Sequence, residues 1–472
     1  MTVNSPKQQE RKPSVTLSAG VFLMIMTVML GGVLLLKADI HALLLVCVAI
    51  GGVASYFAGF NFSDITEGIK NSISKATTAF MIFILIGATI GTWILAGTVP
   101  SLIVYGLDWL NPGYFLPLVL VICAVTSTAT GTSWGTVGTV GLAVMGMGES
   151  MGIPAPVVAG AVVSGAFFGD KMSPVSDTTN LSAATAEADL YDHIKNMSFT
   201  TVPSFALALV LYFFMGLPYG DAVTVDSAKV ELIRTTLEGA FHINPIALLP
   251  LVVVLVLNIL KVPAVPAMGV GVLLGLLVAV FDQGATFTEA LKAVNEGYTI
   301  KSGNEMIDKL LVRGGIQNMM WTFSLSFIAI CLGGVLETGR FLEVLVAKIT
   351  ERVRSVRHYG LMVISSCFLG NVAMGEIYLS IIVNAGLYKK SFEEKGLRNS
   401  MLSRYLEEGA TLTGGLIPWT TAGAFISVTL GVDSFSYAPY AFLNLINPVL
   451  SIMLTYFGIF VFKKVTKEAE TA

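Results

Sequence analysis

Two segments of the sequence combine oxygen-bearing side chains with a residue that breaks helices. In GDKMSPVSDTTN (169–180), carboxylate, hydroxyl and amide groups surround Pro174. In TGGLIPWTTAGA (413–424), paired threonines follow Pro418. Hard cations prefer oxygen ligands of these kinds, a rule for divalent ions that we extend to Na+. Both segments are therefore candidate sites for an alkali cation.

The strongest candidates are carboxylates that would lie within a membrane, where burial is costly and is a functional hypothesis by default. Burial favours the neutral form of a carboxyl group, so such a group can hold either a proton or a cation. The candidate ion- or substrate-binding residues are Thr130, Thr132, Ser133, Asp170, Ser173, Asp177, Thr178, Thr179 and Asn180 in the first half, and Asn371, Glu376, Thr420 and Thr421 in the second. Asp177 and Thr178 are predicted to hold a transported Na+, not a structural one. The alternative for each threonine is a hydrogen bond back to its own helix.

Composition indicates that these segments do lie in a membrane. Of 472 residues, 54% are hydrophobic and 12% are charged, which is about half the charged share of a soluble protein. A net charge of -3 leaves no basic surface for a nucleic acid. The cysteines form no CxxC pair, so neither a disulfide framework nor a zinc site is expected. No phosphate loop or nucleophile–base spacing is present, so we expect neither an enzyme nor a cofactor.

Apolar runs of about twenty residues, enough to cross a bilayer, recur along the chain. They lie at 17–36, 41–60, 76–97, 201–217, 243–260, 262–281, 316–336 and 441–462, while 114–147, 154–185 and 406–430 are apolar but interrupted by small and polar residues. We predict an all-α polytopic membrane protein with about ten full spans and two re-entrant hairpins. A single transmembrane domain (15–465) would lie between short tails (1–14 and 466–472).

Basic residues orient this chain, because Lys and Arg accumulate in cytoplasmic loops. Lys7, Arg11 and Lys12 place the N-terminus in the cytoplasm, and Lys463 and Lys464 place the C-terminus there. No Lys or Arg occurs between Lys75 and Lys171, so the connections at 98–113 and 148–153 both look external. The segment 114–147 would then be a hairpin that enters from outside.

The second half has the opposite pattern. Segments 337–358 and 389–404, the latter including Arg404, are both basic and look cytoplasmic. The segment 359–388 would then be a hairpin from inside; the alternative is that each hairpin segment spans the bilayer. Two hairpins of opposite polarity suggest an inverted repeat, a common design of secondary transporters, with its two copies over about 76–185 and 315–428.

Other charged residues are expected near the membrane surface. Glu407 and Glu408 follow a basic stretch and are read as a charge pair at a helix start. The four histidines (His41, His193, His242 and His358) are read as interfacial. No Arg occurs in the hairpins or in 154–180, which favours a bare cation over a dicarboxylate, since Arg is a common carboxylate clamp.

The segment FFGDKMSPVSDTTNLSAATAEADLYDHIKNM (167–197) resembles the signature region of the NhaC family of sodium/proton antiporters. TSTATGTSWGTVGTVG (126–141) and EEGATLTGGLIPWTTAGAF (407–425) fit the same family. The resemblance implies a bacterial inner-membrane secondary transporter of the ion-transporter superfamily, with paired re-entrant hairpins, that exchanges Na+ or Li+ for H+. It points first to Asp170, Ser173, Asp177, Thr178, Thr179 and Asn180.

Two transport functions stay open on this resemblance. The family that the chain resembles also includes a malate/lactate exchanger coupled to Na+ and H+, so a small carboxylate is the alternative cargo. A channel or a non-transporting scaffold is a third reading, which the repeat pair and the carboxylates argue against. The expected partners are Na+, H+ and the lipid bilayer, and a homodimer is left open.

Overall fold

The structure is a computed structural model that describes residues 12–109, 111–174, 176–220, 227–260, 262–300, 308, 311–312, 314–352 and 355–463. The predicted tails therefore lie outside the described residues, apart from 12–14. The described residues form helices joined by short connections. In a lipid environment, backbone amide and carbonyl groups must pair within their own segment, which is why apolar runs of this length fold as helices.

In chain order, the helices are α1 (Val15–Leu34), α2 (Ile40–Phe57), α3 (Phe62–Lys75), α4 (Thr77–Leu95), α5 (Thr98–Trp109), α6 (Pro112–Thr130), α7 (Ser133–Thr136), α8 (Leu142–Ser150), α9 (Ala155–Met172), α10 (Asp177–Thr185), α11 (Leu190–Gly220), α12 (Ser227–Ala240), α13 (Leu249–Ile259), α14 (Ala264–Phe281), α15 (Phe287–Glu296), α16 (Ile316–Thr338), α17 (Phe341–Arg352), α18 (Tyr359–Met374), α19 (Ile377–Glu394), α20 (Asn399–Leu406), α21 (Leu412–Gly414), α22 (Thr421–Leu430), α23 (Ser434–Tyr437) and α24 (Phe442–Tyr456). Two π-helical turns, Val137–Gly141 and Glu407–Thr411, join α7 to α8 and α20 to α21.

By length and composition alone, several of these helices are able to cross a bilayer. Among the described residues, 5 helices are long and apolar enough (α1, α2, α6, α11 and α16), and the number rises to 8 if each of three bent helix pairs is one span. The predicted all-α polytopic membrane fold is therefore confirmed. The predicted number of about ten crossings stays a prediction.

Hairpin 1 consists of α6 on one arm and α7, the first π turn and α8 on the other. Gly131 ends α6 at a φ of 71°, a left-handed conformation that glycine adopts readily. Thr132 follows in an extended conformation and caps the next helix. A Cβ on Gly148 would lie 2.9 Å from the Phe115 ring, so the far ends of the two arms are in contact. The chain therefore folds back on itself over 114–147, as predicted.

Hairpin 2 consists of α18 and α19 and has the same kind of tip. Gly375 has a φ of 65° and ends α18. The Ser380 hydroxyl donates to the Cys367 carbonyl at 2.8 Å, and the Tyr359 hydroxyl bonds to the Ser391 hydroxyl at the base. These contacts pair the two arms in antiparallel order along their length.

The long helix α11 shows that the two hairpins enter from opposite ends. Its 31 residues span roughly 46 Å, more than a bilayer core. Just before it, Glu187 forms an ion pair with Lys389 at the base of hairpin 2. At its other end, Gly220 packs on Gly113 at the base of hairpin 1, where a Cβ on Gly113 would lie 2.9 Å from the Gly220 Cα. The opposite polarity inferred from charge is therefore present in the fold.

Both predicted helix interruptions are also present. The first, break 1 (173–176), separates α9 from α10 at Pro174, and the second, break 2 (415–420), separates α21 from α22 at Pro418. Proline lacks an amide donor and clashes with the preceding turn, so it ends a helix at these points. Each second half-helix begins with a hydroxyl cap, from Ser176 in α10 and from Thr420 in α22.

The segments predicted to be cytoplasmic contact one another in two pairs. Lys12 lies 3.6 Å from Glu343 of α17. The Arg398 amide donates to the Phe462 carbonyl at 3.1 Å, which brings the 389–404 stretch to the C-terminal segment. Segments that the charge pattern placed on the same side of the membrane are therefore in contact in the fold.

Candidate functional site

A cavity of about 320 Å³ lies where the two hairpin tips meet break 1 and the second π turn. This volume is roughly ten times that of one water molecule. Since the tips come from opposite ends of the molecule and reach one cavity, neither hairpin crosses the whole protein. The lining residues are Lys75, Thr78, Ile82, Thr132, Ser133, Trp134, Phe167, Asp170, Asp177, Thr178, Glu376, Ile377, Tyr378 and Thr411.

Asp170 is the most enclosed carboxylate of this cavity in the first half, with a relative exposure of 3%. The Ser133 hydroxyl of hairpin 1 donates to its Oδ2 at 2.6 Å. The Ser176 hydroxyl of break 1 donates to its Oδ1 at 2.6 Å. Hydrogen bonds to an ionised oxygen are short and strong. Asp170 therefore joins the tip of hairpin 1 to break 1 and leaves lone pairs for a cation.

Asp177 is the first residue of α10 and is exposed to the cavity. Its Oδ1 accepts a hydrogen bond from the Thr178 amide at 2.9 Å. Its Oδ2 accepts one from the Tyr378 hydroxyl of hairpin 2 at 2.5 Å. The start of a helix favours negative charge, because its unpaired amide groups point outwards. The carboxylate therefore connects break 1 to the tip of hairpin 2.

Glu376 brings a third carboxylate to the cavity from the tip of hairpin 2. It caps α19, and its Oε1 accepts the Tyr378 amide at 3.3 Å. Its Oε2 accepts a hydrogen bond from the Thr421 hydroxyl at 2.7 Å. Like Asp170, it is 3% exposed. Carboxylates from both halves of the chain thus face one cavity.

The other predicted residues divide into those at the cavity and those behind it. Thr132, Ser133 and Thr178 line the cavity. Thr420 caps α22 and also donates to the Gly414 carbonyl at 2.6 Å. Asn371 is fully buried and donates to the Ala410 carbonyl at 2.7 Å. Thr420 and Asn371 therefore support the second half without reaching the cavity wall.

Four predicted residues donate hydrogen bonds to backbone carbonyls and do not line the cavity. The Ser173 hydroxyl donates to the Thr128 carbonyl at 2.8 Å, and Thr179 donates to the Asp170 carbonyl at 3.1 Å. Thr130 bonds back to its own helix. Asn180 is exposed and donates to the Pro174 carbonyl at 2.9 Å, which braces break 1.

The prediction that Glu407 and Glu408 lie at the membrane surface was wrong, because both are fully buried. The basic stretch 389–404 that precedes them does not end at the membrane surface. Its last residue, Arg404, is also fully buried and lies 3.9 Å from Glu408, one helical turn on. Lys171 lies 3.5 Å from the other oxygen of Glu408. Two buried cations thus face Glu408.

His193 was likewise predicted at the interface and is fully buried instead. It begins a polar face of α11 that continues with Asn196, Thr200 and Ser204. Asn196 accepts a hydrogen bond from the Arg404 guanidinium at 2.8 Å. The helical spacing of these residues, which leads into the apolar run 201–217, is the signal that could have located this buried polar face.

Sequence reasoning also missed Lys75 and Tyr378 as cavity residues. Lys75 is the one cationic side chain that lines the cavity among the described residues, and its ammonium lies 3.2 Å from Glu337 of α16. Trp134 forms part of the wall and stacks on Phe425 at 4.7 Å. No three acidic, histidine or cysteine side chains in the described part of the chain cluster closely enough to hold a metal ion. Hydroxyl oxygens would have to complete the coordination shell of any cation bound in this cavity.

Known proteins match this chain over nearly its whole length. A family model described as the Na+/H+ antiporter family matches residues 5–186 and 165–459. The Na(+)/H(+) antiporter NhaC of Alkalihalophilus pseudofirmus is 36% identical over 456 residues, 96% of this chain and 98% of that protein. The malate-2H(+)/Na(+)-lactate antiporter of Bacillus subtilis is 37% identical over 87% of this chain and 88% of its own length.

Further similarities lie outside these two types. The arginine/ornithine antiporter ArcD of Halobacterium salinarum is 34% identical over 90% of this chain and 88% of that protein. Among solved structures, MtrF of Neisseria gonorrhoeae, from a class of antimetabolite efflux pumps, aligns with a TM-score of 0.42 and 15% identity over 93% of this chain and 98% of MtrF. From the family match and the full-length NhaC relatives, the chain is a multi-pass membrane protein that belongs to the Na+/H+ antiporter family.

Proposed function

We propose that this protein exchanges Na+ or Li+ for H+ by alternating access, across the inner membrane of a bacterium and with both termini in the cytoplasm. The transporter unit is 15–465, with repeats at about 76–185 and 315–428. Asp177, Asp170 and Glu376 hold the cation or the proton, and Thr132, Ser133 and Thr178 supply hydroxyl ligands.

The observation that carries this proposal is the charge of the cavity. Asp170, Asp177 and Glu376 face one space of about 320 Å³. Lys75, the one cation of that wall among the described residues, is already paired with Glu337. Carboxylates that share a buried site cannot all be ionised without compensating positive charge. The cavity therefore needs a proton or a cation, and the two compete for the same oxygens.

This competition gives the exchange rule. A site that holds a proton or a cation, but not both at once, returns through the membrane loaded with the other ion. The hydrogen bond between Asp177 and Tyr378 joins break 1 to hairpin 2 and is suited to form or break as the cavity opens. Half-helix ends and interrupted helices at membrane depth are the usual ion sites of secondary transporters.

The test is proton flux in liposomes that contain the purified protein and an internal pH-sensitive dye. External NaCl or LiCl should raise the internal pH of wild-type vesicles, and KCl with the same anion serves as the ion-selectivity control. Asp177→Asn should abolish the response. The matched control is Asp192→Asn, the same chemical change at an exposed position of α11. Normal exchange by Asp177→Asn would remove Asp177 from the proposal.

The second candidate is Na+- and H+-coupled exchange of small carboxylates such as malate and lactate. The cavity volume favours an organic substrate, since a single cation occupies far less than about 320 Å³. Lys75 could receive a carboxylate if it left Glu337, but the surrounding acidic groups oppose an anion. In the same vesicles, malate, lactate and arginine are added with and without Na+. Silence with Na+ alone followed by flux with malate or lactate would favour this candidate, and flux with arginine would indicate an organic cation.

A further inference from the structure

We infer that Glu407 forms a second cation position, placed behind the cavity and filled through it. This rear site consists of the Glu407 carboxylate and the hydroxyls of Thr178, Ser182 and Thr411. The inference rests on the proposed cation exchange. It adds to that proposal that each chain binds two cations.

Glu407 is held by hydroxyl groups and by no cation at bonding distance. The Thr178 hydroxyl donates to its Oε1 at 3.0 Å, and the Ser182 hydroxyl to its Oε2 at 2.6 Å. The side chain is fully buried. Within the described residues, no Lys or Arg forms an ion pair with it, because Lys171 and Arg404 both pair with Glu408.

An unpaired carboxylate is costly to keep ionised away from water. The immediate neighbour of Glu407 has two cations at ion-pair distance and Glu407 has none among the described residues, although both belong to the same π turn. Such turns interrupt the regular ladder and often mark functional sites. This turn directs one carboxylate towards α10 and the other towards α11. Lys171 acts on Glu407 only from beyond ion-pair distance, so a cation at Glu407 would supply a positive charge in direct contact with the carboxylate.

A chain of oxygens connects Glu407 to the cavity. Asp170 accepts from Ser176 at 2.6 Å, the Ser176 and Thr178 hydroxyls are 3.1 Å apart, and Thr178 donates to Glu407. Thr178 also lines the cavity wall. Spacings of this kind offer a small cation successive oxygen ligands from Asp170 to Glu407.

A second, independent observation points to a missing ligand. The Thr411 hydroxyl is fully buried and makes no hydrogen bond of ordinary geometry. Other buried hydroxyls of the described residues share this property, Thr429 among them, but of these only Thr411 lines the cavity. It lies close enough to the Glu407 carboxylate to interact with it, one turn away on the π turn, and it also lines the cavity. A hard cation between Glu407 and the cavity wall would satisfy this oxygen and take Thr178, Ser182 and Thr411 as neutral ligands.

The experiment counts Na+ per chain by equilibrium binding of radioactive 22Na+ to the purified full-length protein. It also measures the Na+ dependence of proton flux in liposomes. We expect two Na+ bound per chain and a sigmoidal dependence with a Hill coefficient between about 1 and 2, the limit set by two sites. Glu407→Gln should bind one Na+ and give a hyperbolic dependence.

A gentler variant guards against loss of folding in Glu407→Gln. Thr411→Val keeps the shape of the site and the hydrogen bonds from Thr178 and Ser182 to Glu407. It should raise the half-saturating Na+ concentration of the second ion by about tenfold. This factor corresponds to the free energy of one polar contact to a charged group. The matched control is Thr429→Val, a threonine that is also buried and without an ordinary hydrogen bond but does not line the cavity. Its Na+ dependence should equal that of the wild type.

The outcomes separate this inference from the proposed function. Normal Na+/H+ exchange with one Na+ bound per chain overturns the rear site and leaves the proposed function intact. Equal Na+ affinity in Thr411→Val and Thr429→Val also overturns it. No Na+ binding and no Na+-driven flux in the wild type would overturn the proposed function itself.

Discussion

In each half of the site, a hydrogen bond between a hydroxyl and a carboxylate joins the hairpin tip to the broken helix. The element that carries the carboxylate differs between the halves. In the first half, the hydroxyl is on the hairpin tip (Ser133) and the carboxylate is on the broken helix (Asp170), with 2.6 Å between oxygens. In the second half, the carboxylate is on the tip (Glu376) and the hydroxyl follows the break (Thr421), with 2.7 Å between oxygens. The topology repeats the contact between tip and break, whereas the residue types are swapped.

The halves differ in how firmly each tip is tied to its break. In the second half, the Thr421 amide donates to the Gly375 carbonyl at 2.9 Å, and Trp419 donates to the Val372 carbonyl at 2.8 Å. In the first half, hydroxyl contacts to Asp170 and from Ser173 join the two parts. Break 1 is also followed directly by Asp177, which is exposed to the cavity. We therefore expect break 1 to respond to the ion and break 2 to act as its support.

After the loss expected for Asp177→Asn, the largest effect is expected at Asp170, the other carboxylate of the ion-responsive half. Asp170→Asn removes a charge that two hydroxyls hold in the cavity, and losing a buried, hydrogen-bonded charge of this kind should lower Na+-driven proton flux by about 100-fold. Flux in liposomes at equal protein content measures it. Thermal unfolding within a few degrees of the wild type is the folding control. Flux near the wild-type level would mean that the first half does not bind the ion.

The next effect tests the rigidity of the second tip. Gly375→Ala places a Cβ on a residue whose backbone is in the left-handed conformation. That Cβ would also lie 2.6 Å from the Ala329 Cβ, which is closer than van der Waals contact. The backbone penalty alone is roughly 1–2 kcal/mol, so the thermal unfolding temperature should fall. Gly131→Ala has the same kind of φ and is the comparison at tip 1. If Gly131→Ala lowered the unfolding temperature more, tip 1 would be the more rigid of the two.

A smaller effect is expected at Glu376, in the supporting half. Glu376→Gln keeps an acceptor for Thr421 and removes one of several negative charges around the ion. The half-saturating Na+ concentration should rise by about tenfold, which corresponds to about 1.4 kcal/mol of binding free energy. Maximal flux should be largely kept, because Asp170 and Asp177 still hold the ion. A complete loss of flux would instead give Glu376 the role proposed for Asp170.

Much of the fold could be predicted because it depends on local rules. The alternation of apolar runs gives the helices, and Pro174 and Pro418 give the two breaks. The absence of Lys and Arg between Lys75 and Lys171, set against the basic stretches around hairpin 2, predicts that the two hairpins enter from opposite ends. None of these inferences needs to know which residues touch.

The buried charge network could not be predicted in this way, because its signal depends on tertiary contacts. Arg404 ends a basic stretch, and such stretches normally face water, so local rules place Glu407 and Glu408 at the surface with it. Their burial depends on partners far away in sequence, Lys171 and Thr178. Tyr378 is one polar group at the start of an apolar helix, and only the position of Asp177 gives it significance.

The smallest effects test whether the exchanged contacts are equivalent. Ser133→Ala and Thr421→Val each remove one hydroxyl that donates to a cavity carboxylate and leave the carboxylate in place. A hydrogen bond to a charged group is typically worth about 1.5–3 kcal/mol, part of which water in the cavity would replace. We expect each variant to change the half-saturating Na+ concentration by about threefold at constant maximal flux. Because break 1 responds to the ion and break 2 supports it, the Ser133→Ala change should be the larger. A larger change in Thr421→Val would reverse these roles, and equal changes would mean that the two contacts differ only in which element carries the charge.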